Sequence, residues 1–388
     1  MKPGQLCSQC KGKGMCGLPR CPVMERFHSS VRVKPSDSYM GGAPSVFVGA
    51  HGYPKVTGGP LLIGESDNPE IWVEKAYTID DIVGVRSRTI RGNTAGASRG
   101  ADAMQEIALS ATPLDVEVAF TRPVAFDLRF DGTIAPVGLT GDMRKIDVLD
   151  NAKTPRPVDR AVSDTDLLAA DAVWDLYRDG VGVHQVSQLL SAGLLGKQRK
   201  VVPTRWSITA TDDMLGKACK TVVSRNSALD EYLVFAATLH GNTIVCILTP
   251  GDFRYEMIEH WQAGSMWGGH AGAIMTDGES RKGKKGYSPI AGAYYSARLA
   301  VLDYLRTAGR SARAIVIRSV AGSYWAPLGT WVIREAARQA MAQPPTTFED
   351  LSGAKAFATA ILGNSTWEHH STLLTEIKTQ KTLFDYFS

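Results

Sequence analysis

Between Asp164 and Ala342 the spacing of apolar residues switches repeatedly between a helical and a strand period, and that alternation most limits the folds open to this chain. DTDLLAADAVWDLYRDG, from Asp164 to Gly180, has a helical period and a Gly stop, and VGVHQVSQLLSAGLLG predicts a second helix. RWSITATDDMLGKACKTVV predicts a strand running into a helix. EYLVFAATLHGNTIVCILTPG predicts a β-hairpin turning at His240-Gly241-Asn242. AGAYYSARLAVLDYLRTAG, ending at Gly309, is a long predicted helix. ARAIVIRSV follows as a strand and GTWVIREAARQAMA as a helix. The pattern predicts an α/β or α+β fold and leaves the sheet order open.

Residues 29–150 are expected to be β-rich. SVFVGAHGYP, GPLLIGES, LDVEVAFTRP and VAFDLRFDGTIAPVGL carry strand-like runs closed by Gly, Pro and Asp-Gly turns. Between them, IDDIVGVRSRTIRGNTAGASRGADAMQEIAL is expected to be a polar loop with a helix starting near Ala101. Residues 151–345 form the α/β part of the body, 346–379 the C-terminal helices, and 380–388 a separate terminal peptide. The predicted whole is a large mixed body with a small N-terminal element at 1–28 and a C-terminal helical segment ending in a flexible peptide.

Composition excludes little. The chain has 388 residues, 44% hydrophobic and 21% charged, with a net charge of +4. That length can bury a substantial core. The charge permits nucleic-acid binding through local patches without demanding it. No apolar run is long enough for a membrane span, and MKPGQLCSQC has no secretory apolar region, so a cytoplasmic protein without membrane partners is expected.

Four of the six cysteines, Cys7, Cys10, Cys16 and Cys21, crowd the N-terminal element. In a cytosolic chain such clustering favours a metal over disulfides. Cys7 and Cys10 have the spacing that lets two thiolates approach one ion, and Gly12, Gly14 and Gly17 permit tight turns. Lys11, Lys13 and Arg20 offset the charge of four thiolates. Zn²⁺ is the expected ion. The alternative is an iron–sulfur cluster, since Cys21-Pro22 matches the end of ferredoxin-type runs although the earlier spacings do not. Cys219 and Cys246 are expected to be buried small hydrophobes.

The terminal peptide QKTLFDYFS fits the Q-x-x-aliphatic-x-x-aromatic-aromatic pattern of a sliding-clamp docking box. One turn of 3₁₀ helix would place Leu383 and Tyr386 on one face with Phe387 beside them. These side chains can fill a single apolar pocket as anchors, with the Gln380 amide bonding backbone groups one turn earlier. The bland alternative is a helix end whose aromatics pack on the protein's own core.

Weaker constellations lie in the body. Phe253 to Trp267, with GGH ending at His270, is rich in aromatics. The loop Arg281-Lys282-Gly283-Lys284-Lys285-Gly286 follows soon after. Aromatics near cations suit DNA, through stacking and phosphate contact. In PTRWSITATDD, Arg205 is a candidate phosphate contact, and Asp212 and Asp213 are candidate divalent-ion ligands or a helix N-cap. His51 sits in the strand-end loop Ala50–Lys55, and Asp142, Arg144 and Lys145 form a further polar segment. No phosphate-binding glycine loop and no HExxH are present.

Taken with GAHGYPKV (Gly49–Val56), PTRWSITATDD (Pro203–Asp213), AGAYYSARLAVLDYL, the four-cysteine element and QKTLFDYF, the chain resembles the archaeal Nre family of DNA repair proteins, of the NreA type, over nearly its whole length. The resemblance implies a role in DNA damage repair and binding to the archaeal sliding clamp, PCNA. It carries over Cys7, Cys10, Cys16 and Cys21 as zinc ligands and Gln380, Leu383, Tyr386 and Phe387 as the PCNA-binding anchors. It brings no catalytic residues. Two functions are therefore weighed. One is a repair factor recruited to DNA, and to other repair proteins, by PCNA. The other is a metal-dependent enzyme on DNA or nucleotides, a nuclease or nucleotide-processing activity using Asp212, Asp213, His51 or Arg205. An enzyme would show a deep polar pocket with converging titratable groups. Metal analysis of the purified protein should find about one zinc per chain. Iron with acid-labile sulfide would assign the cysteines to a cluster instead.

Overall fold

The computed structural model describes residues 36–95, 101–126, 137–265, 267–269 and 271–379. Within them the chain divides into two compact units: 36–215 with Ala326–Trp331, and Gly216–Trp325 with 332–379. Each is built on one mixed sheet, which makes the body the expected mixture of helix and strand. The N-terminal cysteine element and the clamp-box residues lie outside the described residues.

In chain order the first stretch contains β1 (Ser38–Ala43), β2 (Ser45–Val48), β3 (Thr57–Leu62), α1 (Pro69–Glu74), α2 (Ile79–Arg88), β4 (Ile90–Ala95), α3 (Ala101–Leu109), β5 (Leu114–Phe120), β6 (Ala125–Phe126), β7 (Leu139–Val148), α4 (Arg156–Ser163), α5 (Ala169–Arg178), α6 (Val183–Ser191) and α7 (Thr204–Val223). The strands form a seven-stranded sheet in the order β1-β5-β7-β4-β3-β2, with β6 on β7. The β4–β7 pair is parallel and the others are antiparallel. β5 shows why one face is covered: Leu114, Val116, Val118 and Phe120 are buried, while Asp115 and Glu117 are exposed. Ala326–Trp331 belongs to this unit, and Trp331 packs edge-to-face on Trp72 with ring centroids 5.5 Å apart.

Two local expectations fail here. Ile79–Arg88 is a helix and Ile90–Ala95 is strand β4, paired on both sides, where a polar loop is expected. Thr78 accepts from Asp81 N and the Asp81 carboxylate accepts from Thr78 N, a reciprocal cap that outweighs the mixed composition. RWSITATDD is helical throughout, not a strand leading into a helix. Two of its hydroxyls bond back along the helix, Ser207 Oγ to the Thr204 carbonyl at 3.0 Å and Thr209 Oγ1 to the Arg205 carbonyl at 3.3 Å. That satisfies them without a strand partner, and it places Asp212 and Asp213 inside α7 rather than at its N-cap.

The second stretch contains β8 (Tyr232–Leu239), β9 (Asn242–Thr249), β10 (Arg254–Trp261), β11 (Ala273–Glu279), α8 (Gly292–Ala308), β12 (Arg313–Val320), α9 (Trp331–Ala342), β13 (Thr346–Phe348), α10 (Leu351–Leu362), a 3₁₀ turn (Thr366–His370) and α11 (Thr372–Thr379). The sheet order is β11-β10-β12-β9-β8-β13, with β10 and β12 parallel. The predicted hairpin is present. Leu239 pairs with Asn242, so His240 and Gly241 are the whole turn, with φ of 49° and 73°. Positive φ at both positions is the type I′ geometry that matches strand twist. A Cβ on Gly241 would also meet Ser323 Oγ at 2.4 Å, so only glycine fits. The long helix α8 ends as expected on Gly309, in the left-handed conformation.

This sheet is covered on both faces at its centre, which is why β9 and β12 carry continuous apolar runs, Ile244–Leu248 and Ala314–Ile317. Val245, Ile247, Ile258, Ile315 and Ile317 meet Ala354, Ala358 and Leu362 of α10, Trp367 of the 3₁₀ turn, and Leu373 and Leu374 of α11. On the opposite face Phe235 and Tyr255 pack edge-to-face on Tyr304 and Tyr294 of α8. Glu256 shares strand parity with Ile258 and so points toward α11. Its carboxylate accepts from Ser371 Oγ, from Thr372 N at 2.8 Å and from Leu373 N at 3.3 Å. Arg254 pairs with Glu376 on the same helix. Burial pushes the Glu256 carboxyl above its usual range, against the pull of these donors. A strand thus adds acceptors to the start of α11, beside Ser371, whose Oγ accepts from Leu374 N at 3.0 Å. Replacing Glu256 by Ala would leave these helix N–H groups without their acceptor, at about 1–3 kcal/mol. Hydrogen exchange should then speed up across residues 372–379 while β9 and β12 stay protected; unchanged exchange there would show that apolar packing alone holds the helix.

Candidate nucleic-acid interface

In the first unit β2 is the edge of its sheet, so its outward N–H groups need acceptors from elsewhere. Two side chains supply them. Gln188 Oε1 of α6 accepts from Val46 N, and Thr204 Oγ1 at the start of α7 accepts from Val48 N, both at 2.8 Å. Ser191 Oγ, 3.1 Å from Thr204 Oγ1, fixes that hydroxyl further. The beginning of α7 is thereby pinned beside the loop leaving β2.

That loop is Gly49–Val56. Gly49 N bonds the Thr57 carbonyl at its base, and Lys55 N bonds the Gly52 carbonyl at its tip, both at 2.9 Å. His51, Tyr53 and Lys55 are all exposed. Pro203 precedes α7, and its carbonyl receives the first helical bonds from Trp206 N and Ser207 N. The pinned helix start brings Trp206 against Tyr53, edge-to-face, with centroids 4.9 Å apart and planes at 62°. Tyr53 is 46% exposed and Trp206 44%. All eight tryptophans of the chain are described, and Trp206 alone is exposed. Arg205, next to it on the first turn, is exposed as well. Two separate sequence motifs therefore meet in one solvent-facing patch of two aromatic rings with an arginine, a lysine and a histidine around them.

The other expected positions are distributed differently. Asp212 is buried inside α7, and among the described residues no group of three or more His, Cys, Asp or Glu side chains could hold a metal ion. Cys219 and Cys246 are fully buried free thiols, and burial pushes the Cys219 thiol up to about 12. Asp142 pairs with Arg122 at 3.4 Å and Lys145 with Asp147 at 2.6 Å, on the exposed side of β7, where Arg144 is also exposed. Met266 and His270 lie outside the described residues.

In the second unit the loop after β11 carries the basic run. Arg281 bonds Asp252 at 2.9 Å. Lys284 is largely buried, 2.5 Å from Asp277 and over the Tyr294 ring. Lys282 and Lys285 face solvent. Beside this loop is a cavity of about 340 Å³ lined by Arg254, Tyr255, Glu256, Asp277, Glu279 and Glu376, among others. It has the polar character an enzyme site needs, but its carboxylates already have protein partners. Glu256 caps α11, Glu376 pairs with Arg254, and Asp277 pairs with Lys284. Glu279 holds Arg298 at 2.8 Å and Lys220 at 3.0 Å. The burial that surrounds this network raises the phenols of Tyr255 and Tyr294 well above their ordinary range. These groups brace the fold around α8 and β11.

Sequence reading singled out Arg205 and His51 but missed Tyr53 and Trp206 as a pair. The available signal was an aromatic beside a cation in each of two polar, loop-flanking motifs.

The two mixed sheets describe an α/β protein with an exposed aromatic–basic patch and no metal cluster among the described residues. The family models of the archaeal Nre N-terminal and C-terminal regions match residues 15–268 and 279–386, and the chain belongs to this family. It is 34% identical to the DNA repair protein NreA of Archaeoglobus fulgidus, covering 93% of this chain and 95% of that one. It is also 34% identical to NreB of the same organism, over 98% and 99%, and 35% identical to NreA of Haloferax volcanii, over 81% and 80%. No solved structure matches the chain. None of the described helices is long and apolar enough to cross a membrane.

Replacing Thr204 by Val removes the acceptor for Val48 N while keeping the side chain's shape. A buried donor left unsatisfied costs about 1–3 kcal/mol. The melting temperature should fall, and the emission of Trp206 should shift as its contact with Tyr53 loosens. A variant with unchanged stability and emission would show that the loop is placed by other contacts.

Proposed function

We propose that this protein is a DNA repair factor brought to DNA by the sliding clamp PCNA through Gln380, Leu383, Tyr386 and Phe387, with the first unit touching DNA through the patch around Trp206. The supporting observation is the solvent-facing union of GAHGYP and PTRW, in a member of a family whose relatives are named DNA repair proteins. On this reading Arg205 and Lys55 would meet phosphates, as would Lys282 and Lys285 in the second unit. Of the expected basic loop, Arg281 and Lys284 are engaged with Asp252 and Asp277, which leaves Lys282 and Lys285 as its better candidates. Cys7, Cys10, Cys16 and Cys21 are proposed to hold Zn²⁺, which would supply the folding energy of a segment too short for its own core.

A clamp tether fits such a body. It converts a weak second contact into an intramolecular one, at an effective concentration on the order of millimolar for a short linker. Titration calorimetry of the full-length protein against PCNA should give binding that disappears in a Tyr386→Ala/Phe387→Ala variant. Equal binding by the variant, or none by the intact protein, would remove the clamp from the proposal.

A further inference from the structure

We infer that the Tyr53–Trp206 pair is a stacking site for an unpaired DNA base, so that the first unit selects single-stranded or locally opened DNA over intact duplex; this rests on the reading that the body contacts DNA. Exposure of Trp206 is the first argument. Every other tryptophan in the chain is more covered than Trp206, and an indole left 44% exposed at a helix start forgoes part of the burial that favours folding. An indole kept in water in this way suits a partner that offers a flat apolar face. Geometry is the second. In an edge-to-face pair the ring that presents its edge keeps both of its faces clear of its partner, and the second ring buttresses it. The contact also restricts Trp206 before binding, which lowers the ordering cost of a stack.

Charge is the third argument, and it identifies the occupant. Arg205 is the neighbour of Trp206 on the first turn of a 20-residue helix, and Lys55 is two residues from Tyr53. The positive end of α7 adds to the same side. A polyanion with flat rings matches this combination, and a neutral apolar peptide does not. In duplex DNA the base faces are covered by their neighbours, so the rings would find a partner only where a base is unpaired. Stacking on a ring is open to every base, so recognition should tolerate any sequence.

The test is fluorescence anisotropy of labelled oligodeoxythymidylate, its RNA counterpart and a mixed-sequence duplex, against the full-length protein at several salt concentrations. The intact protein should prefer the single DNA strand. Trp206→Ala should weaken that strand roughly tenfold or more, as loss of one stacked base does, and leave duplex binding within about twofold. Trp206→Phe should keep most of the affinity. The salt slope should be unchanged in Trp206→Ala and should fall by about 0.7 in Arg205→Gln, where a phosphate contact is lost. DNA bound equally well by the intact protein and by Trp206→Ala would overturn the stacking site and leave the DNA reading standing. No DNA binding by the intact protein would overturn both, and a clear preference for the RNA strand would overturn the choice of ligand.

Discussion

The hydrogen bond from Val48 N to Thr204 Oγ1 is where the first unit's architecture turns into a surface. An edge strand cannot leave its backbone donors bare inside a protein, so β2 requires acceptors along its outer side. Helices α6 and α7 provide them with one glutamine and one threonine. Once Thr204 is fixed, the next two residues have no choice of position: Arg205 and Trp206 emerge on the first turn, beside the loop that β2 feeds. The patch is a consequence of closing a sheet edge, and the residues that form it lie about 150 positions apart in sequence.

The second unit solves a different problem. Its sheet is largely apolar on both faces, and the charges buried in it, Glu256, Glu259, Glu279 and Arg318, each meet a partner. Buried pairs of this kind add little net stability compared with apolar residues, but each is costly to break. Arg318 is held by Glu259 and Asn242 and lies over Trp261 and Tyr324, so even the aromatic-rich stretch from Phe253 to Trp267 is engaged internally. The cavity near β11 is polar for the same reason. Its carboxylates hold α8, α11 and the loop after β11, and each already has a protein partner.

The sequence was informative where one local rule decided the structure. The His240-Gly241 turn, the Gly309 stop of α8 and the Asp350 and Gly363 ends of α10 follow from turn and cap chemistry that a few residues carry. It misled where local propensity competed with context. The β-branched run in α7 suggests a strand until its hydroxyls are seen bonding back along the helix. The Thr78–Asp81 spacing carries the capping box of α2, a signal that the polar loop expectation did not use. The pairing of Tyr53 with Trp206 could not be read at all, since it depends on a sheet order that periodicity does not encode. Lys284 shows the same limit from the other side: a lysine in a basic loop looks solvent-facing until Asp277 is found against it.

The size of a stacking contact bears on why such a body would carry a tether. One base on one aromatic ring contributes about 1–3 kcal/mol, and a handful of phosphate contacts adds affinity that ordinary salt erodes. Neither holds a protein at a particular place on a chromosome, because every exposed strand offers the same bases and phosphates. A net charge of +4 spread over 388 residues adds little general attraction. Selectivity for a location must then come from a second attachment whose partner is itself located, and weak, sequence-blind contact becomes an advantage once that attachment is made. On the proposed reading the body would sample the DNA beside its anchor, settle where a base is unpaired, and leave without a large barrier when the strand is closed again.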